Sequence, residues 1–219
     1  MSMYFKTRKE AGFRMIEHLA KYKYEDSVLV ALNEGGVLVG EPIATHFNCL
    51  LTMLVREDVL IPGEPEAFGS VTQDGALSYN HQYSDGEREE WYNEYHGNIE
   101  EQKREKFQKI NRLLGDIGLL NIDMIKNKTV ILVADGLIGT SELDTMSDLL
   151  KHVVVTKTVI ATPLANVAAV DRMHIIADEL CIINVYDDLL DIEHYYDEKT
   201  MPSREELIKK LQAGILLWQ

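Results

Sequence analysis

The sequence predicts an α/β protein, built on a doubly wound, mostly parallel sheet flanked by helices. Three observations support this fold class. Residues 27–32 and 129–133 are apolar runs rich in β-branched side chains with no polar alternation, which is typical of parallel strands covered on both faces. Each run ends in a short turn that contains glycine, and each turn leads into residues with helical spacing. Further apolar runs and helical patterns alternate along the rest of the chain.

Elements can be assigned in order through the first half of the chain. Residues 8–24 form an amphipathic helical pattern, with apolar side chains at positions that include Ala11, Met15 and Leu19. The strand at 27–32 is followed by a helix at about 37–47 and a strand at 51–55. Residues 67–80 predict a hairpin because Gln73-Asp74-Gly75 is a turn sequence. The charged stretch 87–114 predicts a helix with an apolar inner face formed by Ile99, Phe107, Ile110, Leu113 and Leu114.

The second half adds strands at about 129–134, 153–161 and 179–185, with a helix at about 166–177 between the last two. A final helix begins after Ser203, because Glu206 completes a capping box with it, and ends at about 217. No repeat, low-complexity segment or linker interrupts the chain. The sequence therefore predicts one domain over 1–219, with an excursion at about 62–127 inserted between two core strands.

Composition narrows the classes of function. The 219 residues are 46% hydrophobic and 26% charged, as in a soluble globular domain. The net charge of −14 argues against nucleic acid or an anionic membrane as a partner. The N-terminal Met-Ser-Met-Tyr-Phe-Lys lacks a signal-peptide core, so we expect a cytoplasmic protein. We expect Cys49 and Cys181 to be buried thiols, and the scattered histidines predict no metal site.

One junction between a strand and a helix combines an acidic residue with a small hydroxylated loop. The segment Asp135-Gly136-Leu137-Ile138-Gly139-Thr140-Ser141 lies between the strand at 129–133 and a helical pattern that includes Leu143, Met146 and Leu150. Gly139, Thr140 and Ser141 would then lie at or just before a helix N-terminus, where unpaired N–H groups favour an anion. The alternative is that Thr140 or Ser141 only caps the helix.

A second junction of the same kind follows the strand at 27–32. Its turn is Asn33-Glu34-Gly35-Gly36, in which paired glycines would allow backbone N–H groups to approach a ligand. Gly36 and Gly40 do not belong to a dinucleotide-binding motif, because the Gly-x-Gly-x-x-Gly spacing is absent.

Three segments of the chain carry a family resemblance. Leu32-Asn33-Glu34-Gly35-Gly36-Val37 matches a strand end of the form Leu-Pro-Arg-Gly-Gly-Val. Val55-Arg56-Glu57 and Pro62-Gly63-Glu64-Pro65-Glu66 match Val-Arg-Lys followed by Pro-Gly-Asn-Pro-Glu. Residues 133–142 match Val-Asp-Asp-Gly-Leu-Ala-Thr-Gly-Ala-Thr. Over about 9–196 the chain resembles the type I phosphoribosyltransferases, and more closely a branch of them whose chains have about this length.

The resemblance implies a fold with a lid-like excursion and a C-terminal hood, and it implies roles for particular residues. The loop Gly139–Ser141 would hold a 5-phosphate, Asp135 the ribose hydroxyls, and the Asn33–Gly36 turn, with Arg56 and Glu57, a pyrophosphate. Tyr186, in the hood segment 185–189, would contact a base. Tyr79, Tyr83, Trp91, Tyr92 and Tyr95 in the excursion would either stack on the base or, as we favour, pack the excursion onto the body or a second subunit.

The chain departs from the family pattern where that pattern meets phosphoribosyl pyrophosphate. Glu34 occupies the position of an arginine, and Glu57 occupies that of a lysine. Ala134 replaces the first of two acids, and Glu142 replaces the last threonine of the loop. The Thr-Gly order of the loop appears here as Gly139-Thr140. Two unit charges about 4 Å apart are worth roughly 4 kcal/mol at an effective dielectric near 20, so each reversal of charge weakens binding of a polyanion. A Mg²⁺ ion that bridges Glu34 or Glu57 to a phosphate would restore binding.

Three functions from different classes remain open. The first is a phosphoribosyltransferase-like protein that keeps a phosphate or nucleotide pocket but has lost or changed the transfer reaction. The second is an active enzyme that moves ribose 5-phosphate from its pyrophosphate donor to a nitrogenous base. The third is a non-catalytic structural or oligomerising subunit. The expected partner is a small-molecule phosphate or nucleotide, a homo-oligomer is compatible with the sequence, and no residue can be assigned as catalytic.

Overall fold

Helices and strands alternate along most of the chain in the computed structural model, which describes residues 4–189 and 191–218, without the side chains of the last two. Residues 1–3, part of the segment used above to argue against a signal peptide, lie outside the described residues. In chain order the elements are α1 (Arg8–His18), β1 (Ser27–Ala31), α2 (Glu34–Phe47), β2 (Leu50–Met53), β3 (Arg56–Leu60), β4 (Ala67–Thr72), β5 (Leu77–Tyr79), α3 (Asp85–Glu94), α4 (His96–Leu114), α5 (Ile122–Ile125), β6 (Thr129–Val133), α6 (Ser141–Leu150), β7 (Lys157–Asn166), α7 (Val167–Ile176), β8 (Glu179–Tyr186) and α8 (Arg204–Trp218).

The central sheet is entirely parallel and has the strand order β2-β1-β6-β7-β8. The neighbouring inner strands β1 and β6 pair with Leu29 opposite Ile131 and Ala31 opposite Val133. Every residue of β1 and β6 is buried, because helices cover both faces of the sheet. The predicted α/β class and its mostly parallel sheet flanked by helices are confirmed.

The hydrophobic core lies on the two faces of this sheet. On one face, α1 and α2 pack Met15 and Ile43 against Leu29. On the other face, α6 and α7 pack Met146 and Met173 in the same cluster as Val30. A third cluster joins α8 to α4 and to β2. Successive residues of β1 alternate between the two faces, as the period of a strand requires.

Strands β4 and β5 of the excursion form, together with β3 just before it, a separate antiparallel sheet of order β3-β4-β5 that packs against α4. The predicted hairpin is confirmed, and Gly75 occupies its turn with a φ of +78°. The sequence did not predict β3, which follows the core strand β2 after only two residues. The residues of β3 alternate between the two faces of the antiparallel sheet. Four aromatic side chains of the excursion pack around Phe68 and Ile99: they are Tyr79, Trp91, Tyr92 and Tyr95. Tyr83 packs edge-on against Trp91. These contacts lie within the excursion and its sheet, whereas the sequence favoured packing onto the body or a second subunit.

Several predicted boundaries were wrong for identifiable reasons. The strand predicted at 153–161 begins instead at Lys157, where it enters register with Thr129 of β6. The β-branched run before it forms a loop, and Val154 there is 73% exposed. The helical stretch at 87–114 is two helices that meet at Tyr95, and the first helix ends at His18 before a short 3-10 turn.

The capping box predicted for the last helix is confirmed, since the Ser203 hydroxyl accepts from the Glu206 N–H and the Glu206 carboxylate accepts from the Ser203 N–H. Across the part of the chain that the structure describes, no helix combines the length and the apolar character needed to cross a membrane.

Candidate functional site

The two glycine-containing turns meet at the carboxyl edge of the parallel sheet, because β1 and β6 are neighbours. The N–H of Leu32 donates to the carbonyl of Val133 at 2.8 Å, and the two turns follow directly. In open α/β sheets, ligands bind in the crevice outside the carboxyl ends of the strands. The topology therefore brings together the turns that the sequence singled out separately.

The first turn is the N-terminus of α2, which begins at Glu34 rather than near 37 as predicted. The Asn33 side chain caps it by accepting from the Gly36 N–H at 2.7 Å. A Cβ on Gly35 would overlap the carboxylate of Asp135, and one on Gly36 would overlap the carbonyl of Val133. Both glycines are therefore required because α2 lies close to the end of β6. The sequence alone explained the same glycines by a close approach of the backbone to a ligand.

Asp135 is the first residue of the second turn, and its carboxylate is bound by other side chains of the protein. Its Oδ2 accepts from Nε of Arg8 at 2.7 Å, and both side chains are at most 7% exposed. Burial raises the pKa of the Asp135 carboxyl, and the hydrogen bonds from Arg8 and Asn33 partly oppose that shift. The hydroxyl of Tyr196 donates to the backbone carbonyl of Asp135 at 2.7 Å, and the Arg8 guanidinium lies over the Tyr196 ring.

The loop after Asp135 is anchored at its start and open in its middle. Gly136 lies against Ile192, and Leu137 exchanges backbone hydrogen bonds with Leu164 and Asn166 at the neighbouring strand β7. Within the described residues, no acceptor is bonded to the backbone N–H groups of Ile138, Gly139 or Thr140. A Cβ on the exposed Gly139 would meet no atom within 4 Å.

The loop ends at the N-terminus of α6, as predicted. Thr140 is the capping position, but its hydroxyl donates to the Asp144 carboxylate at 3.2 Å and does not cap the helix. The hydroxyl of Ser141 accepts from Nη1 of Arg56 at 2.9 Å. Nη2 of Arg56 lies 3.1 Å from the carboxylate of Glu142, so one guanidinium links β3 to this helix.

A charged cleft of ≈ 270 Å³ lies beside the two turns. Apart from Leu32, Asn33 and Leu54, its lining is ionisable: Glu34, Arg56, Glu57, Asp58, Lys109, Glu142 and Arg204. A second cleft, of ≈ 380 Å³, shares Asn33 and Glu34 with it and extends to Arg8, Asp135, Ile138 and Asp191. Tyr186 is not among the described residues that line either cleft, and its ring lies 4.7 Å from that of Tyr195.

Two cations that sequence reasoning missed neutralise Glu57. Nζ of Lys109 lies 2.8 Å from Oε2 of Glu57, and Nη1 of Arg204 lies 2.6 Å from Oε1. Burial alone would raise the pKa of the Glu57 carboxyl, but Lys109 and Arg204 together bring it below its usual value. No spacing in the sequence relates positions 57, 109 and 204, so only the tertiary structure reveals this cluster.

Magnesium does not fit as a resident ion of the charged cleft. Both carboxylate oxygens of Glu57 are taken by cations, and Glu34 lies 3.1 Å from Nε of Arg204. Over the described ranges, no group of three or more histidine, cysteine, aspartate or glutamate side chains is placed to hold a metal ion.

A solved structure of another protein supports the fold. No family model matches the sequence, and no curated protein matches it. The crystal structure of TT1426 from Thermus thermophilus is similar over 96% of this chain and 99% of its own, with a TM-score of 0.73 and 22% identity. At that identity the likeness concerns the fold.

Two further structures show weaker similarity. A purine phosphoribosyltransferase from Pyrococcus horikoshii Ot3 is similar over 88% of this chain and 89% of its own, with a TM-score of 0.45 and 11% identity. An adenine phosphoribosyltransferase from Thermoanaerobacter pseudethanolicus is similar over 80% of this chain and 79% of its own, with a TM-score of 0.41 and 14% identity.

Proposed function

We propose that this chain is a phosphoribosyltransferase-like protein that binds a small phosphate-bearing molecule of the nucleotide or phosphoribosyl type, with transfer activity that is impaired or changed. The observation that carries the proposal is the loop between β6 and α6. Its N–H groups at Ile138, Gly139 and Thr140 have no acceptor among the described residues, and Gly139 faces open space. Such a loop at the positive end of a helix dipole is suited to an anion.

The phosphate is assigned to Gly139, Thr140 and Ser141. Asp135, Gly136, Leu137 and Ile138 are assigned to the same phosphate and ribose site, and the hydrogen bonds of Leu137 to β7 hold this part of the loop in place. The Asn33–Gly36 turn, with Arg56 and Glu57, is assigned to a second anionic group of the ligand, and Tyr186 to a base. These assignments follow the family resemblance, and the shared edge of the sheet supports the first two.

The state of Asp135 favours impaired or changed activity. The resemblance gives this carboxylate to the ribose hydroxyls, whereas here it accepts a hydrogen bond from Arg8 in a buried position. A ribose would have to compete with a charge-assisted bond that is about twice as strong as a neutral one. The position of the first of the two acids is Ala134, which is buried and cannot compensate.

A second candidate, an active phosphoribosyltransferase, is favoured by one observation. Lys109 and Arg204 place positive charge beside Glu57, which occupies the position of a lysine in the family pattern. A pyrophosphate leaving group would then still meet cations. Magnesium enters either proposal only as an ion that the pyrophosphate ligand brings with it.

Ligand binding can be tested by thermal unfolding. Ribose 5-phosphate, nucleoside monophosphates and phosphoribosyl pyrophosphate with Mg²⁺ would be added separately, and a ligand at 100 times its Kd would stabilise the folded chain by about 2.7 kcal/mol. Gly139→Asp places a carboxylate in the open loop and should abolish the shift of Tm. Gly86→Asp adds the same charge at an exposed glycine of α3 with no atom within 4 Å, and should leave the shift unchanged.

The readouts separate the three functions. Release of pyrophosphate from phosphoribosyl pyrophosphate would be measured across the common purine and pyrimidine bases. Binding without turnover supports the proposal, and turnover near one per second supports the active enzyme instead. If no phosphate compound shifts the Tm of the wild-type chain, the proposal fails and the non-catalytic subunit remains.

A further inference from the structure

Strand β8 forms an open edge of the central sheet. It pairs with β7 on one side, and α1 and α7 cover its two faces. Within the described residues, the backbone groups of 180–185 make no hydrogen bonds other than those to β7. An edge strand directs part of its N–H and C=O groups outward, so β8 presents a row of unpaired donors and acceptors.

The other edges of the two described sheets are covered or short. Helix α8 packs against β2, the opposite edge of the central sheet. On β3, the Gln102 side chain accepts from the Leu60 N–H at 3.1 Å and donates to the Leu60 carbonyl at 2.8 Å. Strand β5 is only three residues long. By comparison, β8 is eight residues long and carries no such cover along its edge.

The composition of β8 does not protect this edge either. Monomeric proteins discourage the pairing of edge strands with charged side chains or proline, and residues 180–186 contain neither. Val185 of β8 is 50% exposed. Val167, which follows the sheet partner of Tyr186, is 44% exposed. The edge is therefore uncharged along most of its length and apolar at its carboxyl end.

The charges at the two ends of β8 favour one direction of pairing. At the amino end, Glu179 is held by Lys21, whose side chain is 58% exposed, and by Lys157. At the carboxyl end, the exposed acids Asp187 and Asp188 follow the strand. Antiparallel pairing of two such strands brings the lysine end of one copy to the acidic end of the other. Parallel pairing would place the acids of both copies side by side.

We propose that β8 is the surface through which two copies of this chain associate, by antiparallel pairing of their β8 strands into one sheet that runs through both copies. A twofold axis perpendicular to the sheet generates this arrangement, because each strand then offers the same edge to the other. Helices α1 and α7, the outer helices of their faces, would extend the contact on both sides of the paired strands. The association does not depend on the proposed phosphate ligand.

Sedimentation velocity on the full chain tests the association. The wild type should form a dimer at micromolar concentrations. Val185→Glu places a charge on the edge and should weaken the dimer at least about tenfold. Val154→Glu, at a valine that is 73% exposed in the loop before β7, is the matched control and should change the dimer affinity less than about twofold.

The direction of pairing is tested by reversal of charge. Asp187→Lys together with Asp188→Lys should weaken an antiparallel dimer, because the new lysines would meet Lys21 of the other copy. The same pair of substitutions would strengthen a parallel arrangement, since it removes repulsion between the acids. Asp116→Lys, at an exposed position, controls for the change in net charge. A stronger dimer in the doubly substituted chain would overturn the antiparallel assignment.

Hydrogen exchange of the wild type locates the interface without any substitution. Amides of 180–185 should exchange more slowly as the protein concentration rises, whereas those of β2 should not change. A chain that stays monomeric overturns the inference. A dimer in which β8 gains no protection overturns it as well, because another surface must then hold the two copies together. This measurement also decides the matter if Val185→Glu does not fold.

Discussion

Nε of Arg8 donates to Oδ2 of Asp135 at 2.7 Å across 127 positions of the chain. The bond joins the first helix to the end of the central strand β6, directly below Gly35 of α2. It therefore fixes three elements at the edge of the sheet where the candidate site lies. The family resemblance implies that the Asp135 carboxylate binds a ligand. In this structure the carboxylate is part of the framework that shapes the site.

Removal of Arg8 should destabilise the chain strongly. Arg8→Met leaves the buried Asp135 without its cation, and the loss of one partner from a buried pair costs about 3–5 kcal/mol. The free energy of unfolding in urea measures the effect. Arg14→Met, which removes a half-buried i,i+4 partner of Glu10, is the control and should cost less than about 1 kcal/mol. Similar losses in the two variants would show that the Arg8–Asp135 pair is not a framework contact.

Alanine at Gly35 should be destabilising even though it lies in a helix. The new Cβ would overlap the Asp135 carboxylate, and overpacking of this kind costs about 1–3 kcal/mol. Gly86 is the matched control, because it also occupies the second position of its helix, α3, and has no atom within 4 Å of an added Cβ. Gly86→Ala should stabilise by up to about 1 kcal/mol through helix propensity. Opposite signs are expected in denaturant unfolding, and equal signs would refute the packing role of Gly35.

The sequence predicted the central strands β1 and β6 because a strand that is buried on both faces appears as an uninterrupted apolar run. It misplaced the start of β7, since a β-branched run such as 153–155 can also line a loop that lies partly over the core. The strand β3 was missed because Arg56–Leu60 follows β2 after only two residues and its charged side chains obscured the alternation.

The candidate site was predicted in part. Both turns could be recognised because each is a local sequence between a strand and a helix. The cations Lys109 and Arg204 could not, since they belong to helices that reach Glu57 only through tertiary packing. Likewise, nothing local to Asp135 indicates that Arg8 will be its partner. The pairs Lys109–Glu57, Arg8–Asp135 and Arg204–Glu57 are separated by 52, 127 and 147 positions, which is beyond the reach of periodicity.

Asp144 should control how the excursion is held against the loop. This carboxylate is 1% exposed and accepts from Nε of Arg172 at 2.6 Å, from the N–H of His81 at 3.1 Å and from the hydroxyl of Thr140. In Asp144→Asn one oxygen becomes an NH₂ group that cannot accept, so a buried donor is left unpaired at a cost of about 1–3 kcal/mol.

Hydrogen exchange provides the measurement for Asp144. In Asp144→Asn, peptides that contain His81 or Thr140 should exchange faster, while peptides from β1 should be unchanged. Asp148→Asn is the control, because Asp148 also contacts His81 but is 28% exposed, and its effect on the Thr140 peptide should be absent. Unchanged protection around both His81 and Thr140 in Asp144→Asn would contradict this linkage.

Glu179 should contribute stability that disappears in acid. Hydrogen bonds from Lys157, and then from Lys21 and Tyr22, lower the pKa of its carboxyl from 4.5 to about 2. Because the folded-state pKa lies below the unfolded value, the contribution is complete above pH 4.5 and is lost as the pH falls toward 2. Glu179→Gln should therefore lower Tm by a constant amount between pH 6 and 8, by a decreasing amount below about pH 4.5, and by little near pH 2.

Glu90→Gln, at an exposed position of α3, controls for the loss of one negative charge. A difference in Tm between Glu179→Gln and wild type that does not change from pH 7 to pH 2 would mean that the charge on Glu179 is not what joins β8 to Lys157 and to the 3-10 turn that carries Lys21 and Tyr22.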